Sequence, residues 1–173
     1  LGAAVTWQEA RAVLADILPQ PDAEVIRRIG SVQVRNAGTV CGNIGNGSPI
    51  GDGLPLLIAA GAVLKLRCGE AHRSLPLEEY FLAYGKQDRQ PGEFIEAVVI
   101  PQPQPGTVFR AYKISKRRDE DISALCGAFR VFVNDLGNVG MARIAFGGMA
   151  ATPKRATNVE EALIGRPWTM DTI

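Results

Sequence analysis

Between residues 38 and 53 the chain reads Gly-Thr-Val-Cys-Gly-Asn-Ile-Gly-Asn-Gly-Ser-Pro-Ile-Gly-Asp-Gly. Six glycines fall in this stretch: Gly38, Gly42, Gly45, Gly47, Gly51 and Gly53. Glycine permits positive φ and lets a ligand approach the backbone closely. Free N–H groups in such a segment can form an anion-binding nest. Thr39, Asn43 and Ser48 add short polar side chains, and Asp52 adds an acceptor-only carboxylate suited to sugar hydroxyls or a ring N–H. A loop that holds a nucleotide-like ligand and a purely structural loop of tight turns both fit this composition. No Gly-Lys-Ser/Thr follows, so it is not a P-loop, and no clean strand precedes a G-x-G-x-x-G. Elsewhere the chemistry is sparse. Cys41, Cys68 and Cys126 form no C-x-x-C pair, so neither zinc nor a cysteine-ligated iron–sulfur cluster can be built from this chain alone. His72 is the single histidine and has no partner at metal or triad spacing. Lys116-Arg117-Arg118 followed by Asp119-Glu120-Asp121 reads as a self-neutralising loop.

The elements that would position these residues follow from periodicity. Thr6 and Glu9 make a capping box, and Trp7, Ala10, Val13, Leu14, Ile17 and Leu18 recur at helical spacing. Pro19 and Pro21 end that helix, and Asp22 caps a short second one over 23–29 with Gly30 as its stop. The glycine density over 38–53 predicts a long shaped loop, without helix or central strand. After it, Leu54, Leu57 and Ile58 form a short helix face. Residues 62–67 and 71–75 alternate around a Cys68-Gly69-Glu70 turn, and 93–100 reads as a further strand. Pro101, Pro103 and Pro105 mark a domain boundary. Strands are then expected over 107–114, 124–133 and 139–146, the last two joined by a turn at 134–138. Thr157 and Glu160 predict a second capping box, with the helix ending at Gly165. The expectation is an α+β chain: a small, mostly antiparallel sheet with helices over 1–105, then a small antiparallel sheet plus helix over 106–173.

Bulk properties narrow the class. The chain has 173 residues, 46% of them apolar and 21% charged, which are globular values. Lys plus Arg number 19 and Asp plus Glu 18, so no global field draws the chain to nucleic acid or an anionic membrane. No apolar run reaches the roughly 20 residues that cross a bilayer. Sparse, unpaired cysteine suits a reducing cytoplasm. The chain opens on Leu1 and ends in an uncompleted element, so a piece of a longer polypeptide is expected.

Two long segments, in order, carry a resemblance. Arg28-Ile29-Gly30-Ser31-Val32-Gln33-Val34-Arg35-Asn36-Ala37-Gly38-Thr39, continuing to Asp52-Gly53-Leu54-Pro55, resembles the FAD-binding segment of the xanthine dehydrogenase family, in particular the small flavin-carrying subunit of its bacterial members. Phe109-Arg110-Ala111-Tyr112-Lys113-Ile114, continuing through the charged run to Ile122, is similar to that family's junction with the domain after the flavin site. The resemblance implies that Thr39, Val40, Cys41, Gly42 and Asn43 lie against the FAD diphosphate and ribityl region. Cys41 stands where the family usually has a second glycine, which would place a thiol near the flavin. It implies that Ile29 and Ile95 pack on opposite faces of the adenine, that Asp52 bonds a polar part of FAD, and that Lys113 reaches the isoalloxazine. It further implies that the pyrophosphate-cradling Gly-Gly-Thr-type loop and the iron–sulfur clusters lie upstream in the same polypeptide, and the molybdenum site on a large subunit. Such an enzyme oxidises purines and passes electrons through the clusters and FAD to NAD, in the cytoplasm. The medium flavin subunit of a related molybdenum hydroxylase such as carbon monoxide dehydrogenase, or an interaction fragment without catalytic competence, would carry similar residues.

Overall fold

The computed structural model describes residues 1–18 and 23–173. The expected stops at Pro19 and Pro21 and the cap at Asp22 lie outside the described residues. The chain is α+β. Helix α1 (Trp7–Ile17) has the full capping box: Thr6 Oγ1 accepts from Glu9 N at 3.2 Å, and Glu9 Oε2 accepts from Thr6 N at 2.8 Å. Its Trp7, Ala10, Leu14 and Ile17 are buried. Helix α2 (Ala23–Arg27) ends at Gly30, whose φ of +55° turns the chain. The buried Arg35 guanidinium accepts none and donates three times, to the carbonyls of Arg27, Ile29 and Gly30. It thereby shapes the turn into α3 (Val32–Ala37), which Ser31 caps.

The segment expected as one long loop contains a helix. Helix α4 (Val40–Asn46) begins at Thr39, whose Oγ1 accepts from Gly42 N at 2.9 Å, and ends at Gly47 in the left-handed region. A helix tolerates Gly42 and Gly45 here because they face outward, while Val40, Cys41 and Ile44 are buried. Tertiary burial and the cap offset the roughly 1 kcal/mol that each glycine costs a helix. Helix α5 (Gly53–Ala60) follows, and all of its residues are buried.

The first sheet has order β2-β1-β5, from β1 (Val63–Cys68), β2 (Ala71–Pro76) and β5 (Phe94–Val99), all antiparallel. Cys68 pairs with Ala71, so the turn between them is Gly69-Glu70, with Gly69 at φ +59°. A small hairpin, β3 (Phe81–Ala83) and β4 (Lys86–Gln87), lies between β2 and β5 in sequence. The second sheet has order β6-β7-β8-β9: β6 (Val108–Ile114), β7 (Leu125–Val133), β8 (Val139–Gly147) and β9 (Lys154–Arg155). Helix α6 (Thr157–Leu163) covers part of its outer face. The second expected capping box does not form: the N-cap is Ala156 and Thr157 makes no cap bond. Glu160 turns inward instead, 3% exposed, and accepts from Ile144 N and Arg155 Nε. A buried salt bridge to Arg155 at 2.7 Å outweighs the end-of-helix bond.

Helix α5 joins the two sheets. Arg130 on β7 donates to Ala60 O at 2.7 Å, and Arg143 on β8 donates to Ile58 O at 3.0 Å. These cations satisfy the last carbonyls of α5 and complement its dipole. The main apolar core includes residues from α1, α4, α5, β1 and β5 together with Phe109, Ala111, Cys126 and Ala128 of the second sheet.

Candidate functional site

Strand β6 alternates, with Phe109 and Ala111 buried and Val108, Arg110, Tyr112 and Ile114 outward. Lys113 shares the inward phase of Phe109, at the end of the strand nearest the start of α5. The connection to β7 closes where Ala124 N donates to Ile114 O at 2.8 Å, which brings Ser123 back beside Lys113. Asp52, just before α5, lies between them. Lys113 Nζ donates to Asp52 Oδ2 at 2.5 Å and to Asp121 O at 2.7 Å. Ser123 donates to Asp52 Oδ1. The Lys113 and Asp52 side chains are 2% and 7% exposed, so the ion pair is nearly out of solvent. Beneath it, Cys126 Sγ donates weakly to Asp52 O at 3.7 Å, and its thiol is pushed up to about 12, first by burial and then by the Asp52 charge.

Above the pair opens a cleft of about 360 Å³. One wall is Ile29, Gly30 and Val34; the other is the acidic end of the β6–β7 connection, Glu120 to Ser123. Glu120 is the one described non-glycine residue with positive φ, at 49°. Asn43, Ile50 and Gly51 close the third side. Asn43 Oδ1 is buried without a hydrogen-bond partner. Arg28 holds the acidic wall in place, donating to Arg118 O at 2.7 Å and Ser115 Oγ at 3.0 Å.

Of the residues singled out from sequence, Ile29, Asn43, Asp52 and Lys113 line this one cleft. Thr39 and Gly42 stand at the start of α4, their side-chain and backbone groups bonded to each other. A Cβ at Gly42 would lie 2.6 Å from Thr39 Oγ1, so the cap requires glycine there. Val40 is fully buried, and its N–H donates to Val5 O. Cys41 does not offer a thiol to the cleft: it is 4% exposed, faces Gly2 O at 3.8 Å, and burial pushes its pKa up. The register of α4 turns Cys41 inward with Ile44. Ile95 lies on β5 against Gly45 of α4, outside the lining of the cleft. Sequence reasoning missed Ser123. No motif marks it; only the closure of the β6–β7 connection brings it to Asp52.

The residues present fit one end of a flavin nucleotide. The walls are apolar, the floor offers donors and acceptors, the pair on it carries no net charge, and Asn43 Oδ1 lacks a partner that a ligand N–H would supply.

The fold has close solved counterparts. Carbon monoxide dehydrogenase from Hydrogenophaga pseudoflava superposes with a TM-score of 0.91 at 27% identity, covering 100% of this chain and 60% of that one. Reconstituted CO dehydrogenase from Oligotropha carboxidovorans gives 0.89 at 26% identity, covering 99% and 60%. In sequence, xanthine dehydrogenase 2 of Arabidopsis thaliana is 36% identical over 149 residues, 84% of this chain and 11% of that protein. Nicotinate hydroxylase hnxS of Emericella nidulans is 37% identical over 150 residues, again 84% and 11%. The chain therefore spans about a tenth of the length of these curated relatives. Residues 110–173 match the CO dehydrogenase flavoprotein C-terminal domain. Residues 1–103, well over half of the chain, match the FAD binding domain in molybdopterin dehydrogenase, and the chain belongs to that family of FAD-binding domains.

Proposed function

We propose that this chain is the FAD-carrying part of a xanthine dehydrogenase-type molybdenum hydroxylase. It receives electrons from iron–sulfur clusters of the same polypeptide, themselves fed by a molybdenum-binding large subunit, and delivers them to NAD during purine oxidation in the cytoplasm. Bound FAD supplies the exchange between single electrons and a hydride, and the protein supplies position and electrostatics. Functionally the chain divides into a flavin-binding portion over 1–105 and a second portion over 106–173. The supporting observation is the cleft itself, because its walls come from both portions and meet on the Asp52–Lys113 pair.

Within that reading, Ile29 offers an apolar wall to a flat ring, and Ile95 supports α4 from behind at Gly45. Thr39, Val40, Cys41, Gly42 and Asn43 form the turn of helix that faces the rest of the cofactor, through backbone and the Asn43 amide. Asp52 and Lys113 form the polar floor. No helix among the described residues is long and apolar enough to cross a membrane. The second reading is the flavin subunit of a carbon monoxide dehydrogenase, favoured by the two structural matches.

One experiment separates the readings. The FAD-loaded protein is mixed anaerobically with NADH, and the oxidised flavin band at roughly 450 nm is followed. Stoichiometric bleaching supports delivery to NAD. A flavin that NADH leaves oxidised, but that the carbon monoxide-reduced parent enzyme bleaches, supports the second reading.

A further inference from the structure

Ser123 closes the β6–β7 connection and is 3% exposed. Its hydroxyl donates to one oxygen of Asp52, and Lys113 donates to the other. An ammonium has three N–H donors and no acceptor. Two of Lys113's donors are taken, by Asp52 Oδ2 and by Asp121 O. With the Lys113 side chain 2% exposed, the third has little water to turn to, and Lys113 lines the cleft. A carboxylate torsion is broad and roughly two-fold, so one ion-pair contact does not fix the plane of Asp52. The Ser123 hydroxyl does, by holding Oδ1 while Oδ2 faces Lys113.

We propose that Ser123 is a positioning residue for the cleft: it locks the Asp52 carboxylate so that Lys113 presents its one remaining N–H to a ligand acceptor. The floor then selects a carbonyl oxygen or ring nitrogen over a donor, at a pair without net charge. This inference rests on reading the cleft as a flavin-nucleotide site. A merely structural Ser123 would tie the β6–β7 connection to α5 and leave the Lys113 ammonium as it is.

The test uses the ¹⁵N-labelled chain. The lysine NH₃⁺ cross-peak of Lys113 is assigned by its loss in Lys113→Arg, and its hydrogen exchange is measured in the native chain, Ser123→Ala and Ser123→Thr. FAD affinity is measured in parallel by flavin fluorescence quenching. The expected result is slow exchange in the native chain and exchange faster by about tenfold in Ser123→Ala, with amide signals of α1 and β8 unchanged. FAD binding weakens by about tenfold in Ser123→Ala, and Ser123→Thr, which keeps the hydroxyl, restores both signals. Unchanged ammonium exchange in Ser123→Ala overturns the positioning role, as does a failure of Ser123→Thr to restore it. Faster exchange with an FAD affinity equal to the native chain's keeps the positioning role and removes the flavin nucleotide from this cleft, so the two readings fail separately.

Discussion

Replacing Asp52 by alanine should destabilise the fold well beyond an ordinary surface change. The Lys113 ammonium is 2% exposed and Asp52 is its only ionic partner among the described residues. Asp52→Ala leaves that charge with the Asp121 carbonyl alone, and leaves the buried Ser123 hydroxyl without its acceptor. Breaking one side of a buried ion pair costs about 3–5 kcal/mol. For a chain of this size each kcal/mol lowers the melting temperature by about 2–4 °C, so a fall of roughly 6–20 °C is expected. Circular-dichroism melts at pH 7 measure it. The double variant Asp52→Ala/Lys113→Met removes both charges and keeps most of the lysine stem volume, so it should recover at least half of the loss. A single variant melting within about 2 °C of the native chain would show that solvent reaches Lys113 freely. A double variant as unstable as the single would locate the loss in packing and not in the unpaired charge.

Three further outcomes follow from the structure. Cys68 is exposed while Cys41 and Cys126 are buried with raised pKa values, so a thiol reagent at pH 8 should modify one cysteine quickly and the other two only after denaturation; three fast thiols would refute the burial. Because the Cys126 thiol rises from 9.0 to about 12, its contribution to stability is complete below pH 9 and is lost as pH climbs towards 12, and Cys126→Ala should flatten the alkaline fall in melting temperature. Glu93 is held down to about 2, first by the Arg73 guanidinium, so its contribution is complete above pH 4.5 and is lost as pH falls towards 2; Arg73→Leu should flatten the acid limb between those values, and an unchanged limb would remove the pair from the acid response. Gly53→Ala would set a methyl 2.2 Å from the buried Trp7 ring, so denaturant unfolding should show a loss of about 1–3 kcal/mol, and an unaltered midpoint would mean that the ring moves freely.

Short-range rules carried far in this chain. The Thr6–Glu9 box requires only four neighbouring residues, and it forms as the spacing predicts. The strands and the tight turn after Cys68 were legible from alternation and one glycine. The long motifs from Arg28 to Pro55 and from Phe109 to Ile122 led to the FAD-binding family, which the match over residues 1–103 shows. Glycine counting misled at α4, because propensity there yields to burial of Val40, Cys41 and Ile44, and composition does not say which face is buried. The same blindness put the Cys41 thiol in the wrong place.

Sequence alone determined the local elements, the order of the two sheets along the chain and the set of residues worth testing. Only tertiary structure decided that Asp52 meets Lys113 and Ser123, which lie 61 and 71 residues further on. Alternation along β6 assigned Lys113 to a face without saying what that face meets. Helix α5, apolar on every side, carries no periodic stripe that names its neighbours. What brings the trio together is the docking of the second sheet on α5, through Arg130 and Arg143 on its terminal carbonyls and through the shared apolar core. Contacts of that kind join distant segments across a surface, and no local spacing encodes them.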